Sequence, residues 1–497
     1  MKPSRTVVVI GAGFGGLALA IRLQSAGVRT ILLERRDRPG GRAYVYEQDG
    51  FRFDAGPTVV TAPNALEELF ELSGRAIGDY VDMLPVDPFY RLIWQDGVSL
   101  EYNADADAVT SAIARISPGD ADGYRRFLAF SEAVFREGYL KLGTVPFQDV
   151  WSMVRVVPQL IRLKSHKSVY GVVSDFMRDP HLRQAFSFQS LLIGGNPFHV
   201  PSIYALIHAL ERRWGVFFPR GGTGALVAGL VRLFQDLGGE IRLNCPVEEI
   251  QVRNGVVTGV AVSGGNSIVV DAAASNADVV HTYASLLAGT DRGRAMAKRL
   301  GRARYSSSLF VVHFGLKRQY PELAHHTVLF GPRYRELLAD IFERGVLADD
   351  FSLYLHNPSA SDASLAPPGH AGFYALAPVP NLGKASIDWS SMGPVYRDRI
   401  LNALEKQLMP GLRENLVTSR IFTPTDFRTE LNAHLGSAFS LEPVLTQSAW
   451  FRVHNRDDRI RNLYFVGAGT HPGAGIPGVV GSAKATAGLM LADLGVR

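Results

Sequence analysis

Val7-Val8-Val9-Ile10-Gly11-Ala12-Gly13-Phe14-Gly15-Gly16 opens the chain, and Glu34 closes the next apolar run, Thr30 to Leu33. Four β-branched residues in a row predict a buried strand. The glycines after them predict a tight turn into a helix, whose first N–H groups lack intrahelical partners and so attract an anion. With an acid about 20 residues further on, the order is that of a dinucleotide cradle: backbone approaches the pyrophosphate and the acid takes the ribose hydroxyls. Gly11, Gly13, Gly16 and Glu34 are the predicted holders.

The other end of the chain repeats the pattern. Leu463-Tyr464-Phe465-Val466 runs into Gly467-Ala468-Gly469-Thr470-His471-Pro472-Gly473-Ala474-Gly475-Ile476-Pro477-Gly478, and an alanine- and leucine-rich helix follows from Gly481 to Leu494. The two ends are therefore expected to carry halves of one site. Just after Glu34 comes Arg35, then Arg38-Pro39-Gly40-Gly41-Arg42-Ala43. This second glycine pair between arginines reads either as a surface turn or as a further phosphate-facing turn, which a simple nicotinamide fold does not need. Together these segments resemble the superfamily of flavin-dependent amine oxidases and carotenoid desaturases. The resemblance implies FAD, with Arg35, Gly40, Gly41 and Arg42 by the diphosphate and the backbone of Val247 against the adenine. It also implies Gly467, Gly469, Gly475, Ile476 and Pro477 at the flavin end.

At 497 residues the chain exceeds the usual single core, so two or three subdomains are expected. Hydrophobic residues at 46% and charged ones at 20% exclude a disordered chain. The single cysteine, Cys245, excludes an internal disulfide and fits a reducing compartment, with core packing as its ordinary role. A strand from residue 6 leaves no room for a signal peptide, and no uncharged apolar run reaches 18 residues, so neither secretion nor a spanning helix is expected. A net charge of +5 permits an anionic membrane or nucleic acid and decides neither.

The predicted fold class is α/β: a Rossmann-type FAD-binding domain of the glutathione reductase/amine oxidase kind, a mixed α+β substrate domain, and a helical membrane-facing insertion. The nucleotide domain is assigned to 1–62 with 214–280 and 445–497, the substrate domain to 63–103 with 281–444, and the insertion to 104–213. In the nucleotide domain, Trp214 to Gly224 is a glycine-rich turn and Leu226 to Leu237 a helix. Glu240 to Leu243, Val247 to Val252 and Val256 to Val262 read as strands. Ile268 to Val270 reads as one more, with Ala274-Ser275-Asn276-Ala277 returning to the nucleotide. In the substrate domain, Leu309 to Phe314 and Phe351 to His356 read as strands and Val395 to Leu408 as a helix.

Within the insertion, Gln148, Asp149, Ser152, Arg155, Gln159 and Arg162 recur every three or four residues, and apolar side chains from Val150 to Ile161 fill the rest. A helix with so narrow a polar stripe is buried nearly all round or lies in lipid. Pro158 must kink or divide it. Arg162, Lys164, His166 and Lys167 then sit where anionic headgroups attract cations.

Longer stretches narrow the resemblance. Gly50-Phe51-Arg52-Phe53-Asp54-Ala55-Gly56-Pro57-Thr58, Gly138-Tyr139-Leu140-Lys141-Leu142-Gly143, Gly194-Gly195-Asn196-Pro197, Phe218-Pro219-Arg220-Gly221-Gly222-Thr223-Gly224 and the Gly467–Gly481 segment resemble the bacterial-type phytoene desaturases over essentially the whole chain. The resemblance implies desaturation of 15-cis-phytoene to lycopene or neurosporene. It further implies a monotopic position on the cytoplasmic side of the membrane, oxygen or a quinone as electron acceptor, and no nucleic acid partner. Such chemistry takes a hydride to flavin and a proton from the adjacent carbon, and the polyene delocalises the charge, so neither a nucleophile nor a metal is expected. His325-His326 reads as an adjacent pair pointing to opposite faces of a strand. Two catalytic candidates remain open. His471 is the titratable side chain of the last glycine loop, read as a proton handler or a packing residue. Arg155 is read as facing transition-state charge or a headgroup. Rival readings are a related carotenoid oxidoreductase or isomerase, a flavin amine oxidase, which needs an aromatic cage or anionic pocket, and a flavin-free prenyl-binding chaperone, which needs neither Glu34 nor the last loop.

Overall fold

The computed structural model describes residues 5–143, 157–159 and 161–496. Its organising element is a five-stranded parallel sheet drawn from both ends and the middle of the chain, in the order Glu240–Arg242, Arg29–Leu33, Thr6–Ile10, Ala272–Ser275, Leu463–Phe465. Val9 pairs with Leu32 on one side and Ala274 on the other, and Ala274 pairs in turn with Tyr464. The sheet is covered on both faces, which is why its strands read as continuous apolar runs. Helices Phe14–Ser25, Thr223–Asp236 and Ile476–Leu494 pack on one face through Leu17, Leu230 and Ala483. A small antiparallel sheet, Val247–Arg253, Val256–Val262 and Asn266–Val269, covers the other through Ile250 and Val260.

The strand Ala272–Ser275 differs from the sequence reading, which put a strand at Ile268 to Val270 and a returning segment after it. Three alanines and a serine carry no β-branched signal. All four residues are buried at the centre of the sheet, where small side chains let helices approach from one side and strands from the other.

A seven-stranded mixed sheet forms the second layer, in the order Leu416–Phe422, Ser308–Leu316, Ala371–Val379, Leu353–His356, His326–Phe330, Tyr90–Trp94, Ser99–Tyr102. Helices Ala106–Ile116, Ala121–Phe135 and Leu206–Trp214 adjoin an aromatic core that includes Tyr90, Tyr102, Tyr124, Phe127 and Phe186. Helix Trp389–Gln407 packs through Trp389 and Tyr396 against Phe310. It starts six residues before the predicted Val395, because Asp388 caps it by accepting from the Ser390 amide and Pro394 is accommodated inside the helix.

Most of the predicted amphipathic helix, including Gln148, Asp149, Trp151, Ser152, Val154 and Arg155, lies outside the described residues. Val157–Gln159 is helical, and Val157 and Ile161 are exposed, at 41% and 64%. No helix among the described residues is long and apolar enough to cross a membrane.

Candidate functional site

The glycine turns of the two chain ends meet directly. Gly11 donates to the Leu33 carbonyl at 2.7 Å, turning the chain off the sheet at positive φ. A Cβ on Gly16 would stand 2.0 Å from the Gly11 oxygen, and one on Gly15 would stand 3.1 Å from Cα of Gly467. The second glycine pair folds onto the first: the Gly40 amide donates to the Ala12 carbonyl at 2.8 Å, and Gly13 and Gly40 form a bridge. Asn276 ties the turns together. Its amide donates to the Ile10 carbonyl at 2.8 Å and its Nδ2 to the Gly11 carbonyl at 3.2 Å. A Cβ on Gly467 would lie 2.5 Å from the Asn276 Oδ1.

Glu34 is buried at the end of its strand. One carboxylate oxygen accepts from the Ala12 amide at 2.8 Å and the other from the Arg36 amide at 3.0 Å. Each oxygen retains a lone pair, so two backbone donors fix the carboxylate while leaving it able to take two hydroxyls. Arg35 also lines the cavity, but its guanidinium is held by the Asn432 side chain and the Thr429 and Glu430 carbonyls. Arg42 is half-buried and donates from Nε to the Ala438 carbonyl at 2.6 Å. Val247 begins its strand on the same cavity wall.

The last glycine loop is held from beneath. Gly469 lies against Val279, and Gly475, Ile476 and Pro477 start the closing helix while lining the cavity. Buried Asn455 is the hub: its Nδ2 lies 3.1–3.5 Å from the Phe465 and His471 carbonyls and the Thr470, Ser482 and Thr486 hydroxyls. His471 is buried behind the loop with Nε2 3.0 Å from the Leu142 carbonyl, and burial pushes its imidazole down to about 4. It is not among the residues lining the cavity. This placement favours a packing and hydrogen-bonding role for His471. Arg155 lies outside the described residues.

One cavity of about 900 Å³ joins these parts. It runs from Glu34 and Val247, past Gly11, Gly13, Gly41 and Gly475, to walls built from Leu191, Leu206, Phe330, Leu376 and Phe427. Its residues near Gly138, Tyr139 and Leu140 reach the surface, where Leu140 is 55% exposed. The cradle fits a flavin dinucleotide: Gly11, Gly13, Gly40 and Gly41 line the cavity with bare backbone, and the buried acid keeps acceptor capacity for a ribose. The basic residues flanking the predicted amphipathic helix differ from expectation. Lys164 and Lys167 both pair with Asp175, at 2.9 and 2.8 Å, which leaves Arg162 as the exposed cation of that cluster without an ion pair among the described residues.

The histidine reading is corrected. His325 lies just outside the strand that begins at His326, so strand alternation does not separate them, and cross-strand pairing sets His356 opposite His326. His325 Nε2 is 3.0 Å from His356 Nε2, and ligand atoms of all three buried rings lie within 4.8 Å of one another. His326 Nδ1 is 2.6 Å from the Tyr354 hydroxyl, which is 3.1 Å from the Thr58 hydroxyl on the cavity wall.

The family described as flavin containing amine oxidoreductase matches residues 14–491. A lycopene-forming phytoene desaturase of Pseudescherichia vulneris is 62% identical over 99% of this chain and all of its own length. One from Pantoea ananas is 60% identical over the same shares. Among solved structures, cyclohexylamine oxidase from Brevibacterium oxydans IH-35A superposes with a TM-score of 0.64 at 18% identity, covering 99% of this chain and 100% of that one. At that identity the likeness extends to the fold.

Proposed function

Because the chain belongs to the flavin containing amine oxidoreductases, and among them to the bacterial-type phytoene desaturases, we propose that FAD lies along the glycine cradle and a linear polyene hydrocarbon beyond it. The chain is an FAD-dependent oxidoreductase that desaturates CH–CH bonds of a carotenoid precursor. The observation that carries this reading is the continuity of one cavity from the glycine turns to apolar walls, with Glu34 at one end and Leu376 and Phe427 at the other. Glu34 takes the ribose hydroxyls, Gly11, Gly13, Gly16, Gly40 and Gly41 admit the diphosphate, and the Gly475–Pro477 segment faces the ring. Arg42 supplies a positive charge beside them, and Val247 backs the adenine. Arg35 acts from a distance, bracing the wall through Thr429 and Glu430.

The relatives that form lycopene support a full series of steps on phytoene. Pigments extracted from a phytoene-producing cell that expresses the chain are expected to be red. A yellow extract would mean an earlier stop, at neurosporene, and a colourless one would sink the substrate assignment.

A hydrocarbon of this length must be drawn from lipid. Leu140, at the cavity's surface end, is exposed, as are Val157, Ile161 and Arg162 of the insertion, and we take these together as an apolar rim with a basic edge. We assign this rim to a membrane surface, with oxygen or a quinone reoxidising the flavin, since one dinucleotide fingerprint leaves no second site for a nicotinamide. Purified enzyme should sediment with phytoene-loaded anionic liposomes and form coloured product under air without NAD or NADP. Salt should weaken the association without abolishing it, because apolar contact is not screened. Leu140→Asp with Ile161→Asp should release the protein while its FAD content stays intact. Unchanged sedimentation of that double variant would move the landing surface elsewhere, and strict dependence on NAD or NADP would remove the proposed acceptor.

A further inference from the structure

Desaturation removes two hydrogens of different kinds. One leaves as hydride, for which bound FAD supplies the two-electron acceptor. The other leaves as a proton from the neighbouring carbon, and its C–H electron pair becomes the new π bond. The proton needs an acceptor, and the polyene end of the cavity is walled by hydrocarbon.

Most carboxylates on the cavity wall are already committed. Glu34 is fixed by two backbone amides. Glu68 pairs with Arg22 and Lys484, and Glu430 with Arg36. Asp278 caps the turn at Val280 through Oδ1, and although its Oδ2 also lacks a hydrogen-bond partner, the residue is only half-buried and lies in the cradle beside Asn276 and the Arg42 guanidinium, away from the apolar wall. Glu211 is different. It projects from helix Leu206–Trp214, whose Leu206, Ile207 and Leu210 line the apolar wall beside it. Its residue surface is 1% exposed, its Oε1 accepts from the Tyr90 hydroxyl at 2.7 Å, and its Oε2 is buried without a hydrogen-bond partner. An orphaned carboxylate oxygen facing apolar surroundings is costly, and a group of that kind in a cleft marks a functional site.

We propose that Glu211 is the proton acceptor of the desaturation, its free Oε2 taking the proton from the carbon next to the one that loses hydride. This rests on the carotenoid reading of the cavity. Burial pushes the Glu211 carboxyl up to about 8, against a smaller opposing pull from the Tyr90 hydroxyl. A carboxylate of that basicity is a far stronger base than an exposed one, and as pH rises past about 8 it can shed the proton again before the next step. The other titratable groups around it fall outside that range. Tyr90, Tyr102 and Tyr124, from the facing strands and the Ala121–Phe135 helix, are all raised. His208 on the same helix is lowered to about 4, and Arg212 is the next neighbour of Glu211 in the chain.

The test uses FAD-loaded enzyme in phytoene-containing phosphatidylcholine vesicles. Wild-type turnover should rise as pH passes upward through about 8, as the base ionises. Glu211→Gln should lose about 10²- to 10⁴-fold in kcat, with FAD content and phytoene KM unchanged, and Glu211→Asp should recover part of the loss. Tyr90→Phe removes the bond that lowers the carboxyl, so its profile should move to higher pH. Independently of turnover, the infrared carbonyl band of a protonated carboxyl should titrate over the same range and vanish in Glu211→Gln. Wild-type kcat in Glu211→Gln, or a Tyr90→Phe profile that does not move, overturns the assignment even if Glu211→Gln proves unable to fold. A wild-type enzyme that converts no phytoene overturns the carotenoid reading beneath it. Conversion by wild type and Glu211→Gln alike sinks the proton acceptor alone.

Discussion

A Gly16→Val protein is expected to purify colourless, stripped of its flavin. A Cβ at that position would stand 2.0 Å from the Gly11 carbonyl oxygen, where real Cβ contacts begin at about 3 Å. The atom it meets is backbone, itself pinned by the bond from the Gly11 amide to Leu33, so helix Phe14–Ser25 must retreat from the turn. That retreat withdraws the helix N-terminus from the pyrophosphate. Forced overpacking costs about 1–3 kcal/mol or more, and each 1.4 kcal/mol is tenfold in affinity, so FAD affinity should fall by about 5- to 150-fold or more. Gly488→Ala in the closing helix is the control: its Cβ would meet nothing within 4 Å, and the variant should stay yellow. Full flavin absorbance in Gly16→Val would mean the cofactor lies somewhere else.

The second large effect belongs to Asn455. Its Nδ2 stands among two carbonyls and three hydroxyls that join the strand Leu463–Phe465, the last glycine loop and the closing helix. Asn455→Ala removes a donor these buried groups share, leaving the Phe465 carbonyl with the Thr486 hydroxyl at 2.9 Å, and buried groups cost about 1–3 kcal/mol each when unpaired. The hydroxyls can re-pair among themselves, as Thr470 and Ser482 already do at 2.8 Å, so about 3 kcal/mol is the expected total. Thermal unfolding should occur several degrees lower, and added FAD should restore part of the difference because it binds only the folded state. A midpoint equal to wild type would show that the loop is held by the closing helix alone.

The parts legible in the sequence were those written in short, local patterns. Val7 to Ile10, Thr30 to Leu33 and Leu463 to Phe465 carry the apolar runs of doubly buried strands, and the glycines after them mark their turns. What escaped was set by neighbours distant in the chain. Asn276 and Asn455 look like ordinary loop asparagines until the fold surrounds them with backbone. Ala272–Ser275 reads as a connector because alanine is small, which is what a strand pressed from both sides requires. Glu211 sits in an unremarkable Leu-Glu-Arg-Arg run, and its isolation exists only because Tyr90, more than a hundred residues earlier, supplies its single partner. His325 and His326 meet His356 through strand pairing that no spacing rule encodes. Arg35 lies where the cofactor motif places it, yet its guanidinium follows the carbonyls of Thr429 and Glu430.

The parallel sheet also has a history in time. Its edge strand, Leu463–Phe465, is made long after its partner Ala272–Ser275 and the neighbouring Thr6–Ile10. At about 5–20 residues per second, the stretch from Ser275 to Leu463 takes roughly 10–40 s to make. Through nearly all of that interval the first glycine turn waits without its second half, and the open side of Ala272–Ser275 is an unpaired strand edge. Flavin loading is therefore a late event, after the last strand has docked. A nascent chain would need a chaperone, or the membrane itself, to shield that edge until Leu463–Phe465 docks.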